Sequence, residues 1–244
     1  TKEHTQLDLD GTHGDAKISA KGKFLSSQAS ASSGSQSKLS IQTSGLSFSP
    51  RVYQAANTFN TAVGDLWRDL NPKGVFDSQI NLWRESGDSD FHYDAELHLR
   101  NTSLAYAQIP LPFESLSGHL FFHGVGNTCR CDISPIRAQI SNGSGQAPAA
   151  LLIQGSVLGI GATLSANVTT VIKRLRLTDQ LGKALQKTGA ITEQLWDSLE
   201  IDGFADVTAV IERKKGQLDT SRQFDIELRD VSSNAPAAPG KVRG

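Results

Sequence analysis

The hydrophobic pattern of this chain changes period along its length, and the changes come twice in the same order. In "FHYDAELHLR", Phe91, Tyr93, Ala95, Leu97 and Leu99 alternate with His92, Asp94, Glu96, His98 and Arg100. That is the period-two pattern of a strand with one buried face. "RQFDIELRD" repeats it, with Phe224, Ile226 and Leu228 opposite Asp225, Glu227 and Arg229. Sheets built from such strands have one apolar and one wet face, as antiparallel meanders do. Upstream of the first strand the period is 3.6. Val52, Ala55, Ala56, Phe59, Ala62, Val63, Leu66, Trp67 and Leu70 fall at steps of three and four, which predicts one amphipathic helix with a buried stripe. Ser49 before Pro50 supplies its start signal.

The second occurrence is a repeat. "LWRDLNPKGVFDSQINLWR", beginning at Leu66, and "LWDSLEIDGFADVTAVIER", beginning at Leu195, lie 129 positions apart. The same spacing relates Leu46 to Leu175, Phe48 to Leu177, Gly74 to Gly203, Asp77 to Asp206 and Arg84 to Arg213, with no gap. Thr178 before Asp179 starts the second helix, whose stripe of Leu181, Ala184, Leu185, Ile191, Leu195, Trp196 and Leu199 is weakened by Gly182 and Gly189. A break is expected near Gly189. After the shared glycine the period returns to two in each copy. Phe76, Ser78, Ile80 and Leu82 share a face, as do Ala205, Val207, Ala209 and Ile211. Trp67 and Trp196, each in a helical stripe just before the chain turns, are assigned to helix packing.

These patterns divide the chain into a repeat-built β segment over residues 1–232, with related units around 38–100 and 163–229, and a flexible tail over 233–244. "SSQASASSGSQS" reads as a low-complexity loop, and "IPLPFESLSGHLFFHG" as an extended entry into another edge or hairpin strand. The most apolar window, "APAALLIQGSVLGIGATLSANV", is interrupted by Gln154, Ser156 and glycines. It reads as two strands with a bend rather than a membrane-spanning helix, which needs about 20 predominantly apolar residues.

Composition fits a β-rich chain. Of 244 residues only 7% are aromatic, none is Met, and 24 basic residues nearly balance 25 acidic ones. No block of one charge sign suggests a nucleic-acid partner or a polybasic membrane anchor. The chain starts at Thr1 without a secretory signal, and is expected to be an excised or processed piece of a longer protein.

Candidate chemistry is sparse. Cys129 and Cys131 sit two apart in a strand-like segment, where a disulfide would be strained and two thiols alone would leave a zinc site incomplete. Along one strand His92, Asp94, Glu96 and His98 are spaced about 6.5–7 Å apart, too far for one ion. They read as a solvated face, with His119 and His123 of the next strand as cross-strand partners. No nucleophile elbow and no phosphate-binding Gly-Lys-Ser/Thr loop is present. The expectation is therefore no enzyme, no catalytic residue, no metal and no cofactor.

The repeated stretches, "LPFESLSGHLFF", and "DGTHGDAKISAKGKF" with its echo "SNGSGQAPAALLIQGSV" resemble AsmA-like proteins. This is a bacterial cell-envelope family with relatives of TamB and of the repeating β-groove lipid-transfer proteins. The resemblance spans most of residues 1–232, with one departure where Glu200-Ile201 replaces Asn71-Pro72. It implies a mainly β fold with a few helices (α+β): a long curved antiparallel sheet forming a taco-like groove, with two amphipathic helices. It also implies non-enzymatic binding of phospholipid acyl chains, in intermembrane phospholipid transport or outer-membrane biogenesis. The setting would be the periplasm, with anchoring through a membrane segment absent from this chain. Alternation then assigns Phe76, Ile80, Leu82, Phe91, Tyr93, Leu97 and Leu99 in the first unit, and Val207, Ile211, Phe224, Ile226 and Leu228 in the second, to the lipid-facing side. The alternative is a scaffold or assembly module whose helices close over the sheet and leave no cavity.

Overall fold

The computed structural model describes residues 4–25, 37–59, 61–85, 87–105, 111–126, 128–143, 145–159, 164–178, 181–183, 186, 201–217 and 219–233. Its framework is one antiparallel sheet of eleven strands in sequence order. The strands are β1 (His4–His13), β2 (Ala16–Leu25), β3 (Ser37–Ser47), β4 (Lys73–Arg84), β5 (His92–Leu104), β6 (Phe113–Val125), β7 (Arg130–Ile140), β8 (Ala149–Leu158), β9 (Ser165–Arg176), β10 (Ile201–Arg213) and β11 (Ser221–Ser233). β1 and β11 are the two edges, so the curved sheet is open rather than closed into a barrel. The apolar window divides into β8 and β9, and the proline-flanked aromatic stretch becomes β6.

Between β3 and β4 stand α1 (Pro50–Phe59) and α2 (Thr61–Leu70). Where the periodicity predicts one helix, the structure therefore has two. The Asn57 side chain of α1 lies so near Gly64 of α2 that a Cβ at Gly64 would collide with it. In one straight helix these residues would stand about 10 Å apart, since the rise is about 1.5 Å per residue, so the glycine permits a close fold-back of α2 on α1. Ser49 caps α1 as expected: its Oγ accepts from the Val52 N–H at 3.4 Å and its carbonyl from the Tyr53 N–H at 2.9 Å. α2 ends where Asn71 takes a left-handed φ of 41° ahead of Pro72, a conformation asparagine tolerates and a proline that cannot continue the helix.

The start of the second unit matches in detail. Thr178 Oγ1 accepts from the Leu181 N–H at 3.3 Å, and its carbonyl from the Gly182 N–H at 3.0 Å. A helical turn covers residues 181–183. The expected break at Gly189 and the packing of Trp196 lie outside the described residues, as do the low-complexity loop (26–37) and the tail (233–244) except for Ser37, which opens β3, and Ser233, which ends β11.

Backbone irregularities recur at the same spacing. Gly45 and Arg174 have φ of 72° and 58°, Gly74 and Gly203 have 108° and 144°, and Asn101 and Asp230 have 50° and 51°. Each pair is 129 positions apart. They belong to a belt of register shifts that crosses the sheet, falling between Thr43 and Leu46, Leu99 and Thr102, Ile133 and Ile136, and Ala205 and Val207. A bulge bends its strand and increases the local twist. A belt of them therefore curls the sheet across its width.

Two carboxylates hold this belt. Asp77 Oδ1 accepts from the Gly45 N–H at 2.7 Å and from Arg100 Nη2 at 2.6 Å. Asp206, at the equivalent position, accepts from the Arg174 N–H at 2.8 Å and pairs with Lys173 and Arg229, both at 3.0 Å. The Arg174 N–H hydrogen bond first, then Lys173 and Arg229, hold the Asp206 carboxyl below the usual carboxylate range.

Candidate functional site

One face of the sheet carries most of the apolar residues of the strands, because alternation and antiparallel register align them in rows; Phe121, Leu152, Val171 and Val210 fall on the other face. One row runs Ile41, Ile80, Ala95, Phe122, Cys131, Val157 and Ala166. The next runs Thr43, Ser78, Leu97, Leu120, Ile133, Gly155, Val168 and Ile211. The face is continuous from the first repeated unit into the second.

The bulge belt divides this face into two zones. At the belt and on its helix side Phe76, Leu99, Leu116, Ile136, Ala138 and Leu151 form a buried cluster, with Phe48 and Val52 packed against it and Leu97, Leu120 and Ile133 meeting it from the hairpin side. Phe48 contacts Phe76 and Trp67 at centroid separations of 4.6 and 5.0 Å, and Tyr53 contacts Trp67 at 6.2 Å. The helix-packing assignment of Trp67 thus has direct ring contacts behind it. Beside it, Ile140, Ala149, Leu175, Leu177, Leu181 and Ala205 form a second buried cluster around the start of the second helical segment.

On the other side of the belt, toward the hairpins joining β4 to β5 and β10 to β11, the apolar row from Ile41 to Ala166 is only half-buried. No described helix covers it. Tyr93 is the buried exception, lying across Gly124, where a Cβ would collide with the Tyr93 ring, and donating its hydroxyl to the Thr128 carbonyl at 2.7 Å. Burial is the largest influence raising the Tyr93 hydroxyl pKa, and burial pushes the nearby Cys131 thiol up to about 12. A floor that disfavours charge in this way is an apolar environment. Cys129 and Cys131 are both free thiols.

The residues assigned to the lipid-facing side fall as follows. Ile80, Leu82, Leu97, Val207 and Ile211 are half-buried on the apolar face, and Phe76, Tyr93 and Leu99 are buried in it. Phe224, Ile226 and Leu228 occupy the same face of edge strand β11 and are 57%, 56% and 55% exposed. Phe91 departs from the expectation of a strand residue in the groove. It precedes β5 at the hairpin, is exposed, and has the Arg84 guanidinium 5.0 Å from its ring centroid.

The outer face is polar and paired across strands. His119 meets Glu96 at 2.7 Å, His123 meets Asp94 at 2.7 Å, and His98 stacks on His119 at 4.3 Å between centroids. The histidines and carboxylates of β5 and β6 are thus partners of one another, and among the described residues no three metal-ligating side chains converge on a point. Sequence reasoning aligned Asp77 with Asp206 but missed their role as bulge clamps. The available signal was a carboxylate kept at the same spacing beside a strand irregularity. Among the described residues no helix is long and apolar enough to cross a membrane.

No family model, no curated protein and no solved structure matches the chain.

Proposed function

We propose that this protein is a non-enzymatic, AsmA-like module of a bacterial cell envelope that holds phospholipid acyl chains along the apolar face of its sheet. The observation that carries the reading is the zone beyond the bulge belt that no described helix covers. There the aligned apolar side chains of successive strands stay half-buried, and those of β11 are more than half-exposed. A contiguous exposed apolar surface marks an interaction site. A hydrocarbon chain gains about 0.8 kcal/mol for each methylene removed from water. A dozen such groups along a continuous track offset a large part of the cost of leaving a bilayer, and the task needs neither a metal nor a catalytic group. In this reading the helix-side clusters are the wall that ends the track, and the protein works in the periplasm with membrane attachment supplied by other parts of the full-length protein.

The scaffold reading draws on those same clusters, which pack helix against sheet as a closed core does. Native mass spectrometry of the purified protein, followed by solvent extraction, separates the two. Retained phospholipid is expected for the groove, and Leu97→Asp should remove it while the circular dichroism of the sheet persists. Protein that emerges free of lipid after exposure to phospholipid vesicles would overturn the groove reading.

A further inference from the structure

The apolar face also shows where its few charges lie. Away from the bulge residues Arg174 and Asp230, strand register places every Asp and Glu of the strands on the outer face. Asp8, Asp77, Asp94, Glu96, Asp132 and Asp206 are examples, each out of phase with its apolar neighbours. Lysines follow the same rule. Three arginines break it: Arg84 pairs in register with Ser37, Arg213 with Ala166 and Arg222 with Ile211, all on the apolar side. All three sit at the hairpin ends of their strands, on the open side of the bulge belt. Arg84 and Arg213 are equivalent in the two units, each closing its strand after the last apolar residue. Among the described residues no ion pair joins any of the three to a carboxylate. Arg84 lies over the Phe91 ring, and Arg213 Nε donates to the Gln217 carbonyl at 3.1 Å.

Resting on the groove reading above, we infer that these arginines receive the anionic headgroup of an amphiphile whose tail lies on the apolar face. Arg213 and Arg222 form the stronger clamp, and Arg84 is its single-arginine counterpart in the first unit. Charge complementarity points to this ligand. A surface that places no carboxylate on its apolar side in the strands, and ends that side in guanidiniums with no carboxylate partner among the described residues, selects a ligand that is apolar along its length and negative at one end. Guanidinium presents a donor fork that matches a phosphate diester. The stems of the arginines extend the apolar surface up to the charge. A zwitterionic headgroup brings its own cation beside the phosphate and gains less from these guanidiniums, so the ligand class is an anionic phospholipid.

The test uses the intact chain and two sets of vesicles with identical acyl chains, one of phosphatidylglycerol and one of phosphatidylcholine. Lipid captured per protein is measured by mass spectrometry after the protein is re-isolated. The wild type is expected to take up phosphatidylglycerol about fivefold over phosphatidylcholine, the scale of one or two exposed charge pairs. Arg213→Gln with Arg222→Gln should bring the ratio close to one, chiefly through loss of phosphatidylglycerol uptake, and Arg84→Gln should lower it by less. Equal uptake of the two lipids by the wild type, or a preference that survives in the triple variant, overturns the headgroup inference and leaves the groove standing. Failure to take up either lipid overturns the groove and the inference together. The circular dichroism of each variant is recorded alongside, and the charge-reversed Arg213→Glu, expected to favour phosphatidylcholine, gives a second reading independent of the glutamine series.

Discussion

β5 and β11 are the same strand written twice, and the molecule treats them differently. Both follow a glycine-led strand, both carry a left-handed residue near their ends, and each supplies an arginine, Arg100 or Arg229, to an equivalent aspartate clamp. Leu99 is nevertheless 6% exposed, whereas Leu228, its counterpart, is 55% exposed. β5 lies between β4 and β6, with Leu116 and the Phe48 region closing over its end. β11 is paired by β10 alone, and no described element stands on its other side. Alternation decides which face a side chain takes, but burial requires neighbours on both flanks and above.

The sharpest way to break the comparison is to truncate the two leucines. Leu99→Ala should cost about 2–5 kcal/mol, as for a leucine removed from a packed core, while Leu228→Ala should cost less than about 1 kcal/mol. Equal shifts in denaturant midpoint would show that β11 is as enclosed as β5.

The aspartate clamps give the next largest effect. Asp206 is buried and Asp77 less so, so Asp206→Asn should cost about 1–3 kcal/mol and Asp77→Asn about 1 kcal/mol, read from the same unfolding curves. The pH dependence has a definite sign. The folded-state pKa of Asp206 is depressed, so its contribution is complete above the unfolded value and is lost as pH falls through the folded one. Wild type should lose stability between about pH 5 and pH 2 more steeply than Asp206→Asn. Parallel acid-unfolding curves would remove the clamp from the account.

Ile226→Asp sharpens the comparison on the functional side. At an exposed edge position it should change stability by less than about 1 kcal/mol and still reduce lipid capture, because it places a charge on the apolar track. Leu97→Asp, in the enclosed partner strand, should reduce both. Capture unchanged in Ile226→Asp would confine the track to the strands before β11. The smallest effect is expected on the outer face. His119→Gln removes an exposed pair with Glu96 and should change stability by about 0.2–1 kcal/mol, fading as salt is raised.

Much of the fold was legible because strand and helix periods are written locally. Alternation in "FHYDAELHLR" and "RQFDIELRD" assigned faces that the register upholds, and Ser49 and Thr178 marked helix starts that their hydrogen bonds show. The split of the first helix was not legible, since its apolar stripe is continuous through the break and only the close approach of Asn57 to Gly64 shows the fold-back. Phe91 obeyed the alternation yet fell outside the strand, because β5 begins at His92.

By itself the sequence determined which side of the alternating strands is apolar and where the unit repeats. These are consequences of a two-residue period and of residue identity, and they need no knowledge of distant contacts. Only the tertiary structure decided which part of the apolar side is sealed and which stays open. That depends on where the helices land relative to the bulge belt, and on whether another strand lies beyond an edge. Both are set by residues far apart in the chain.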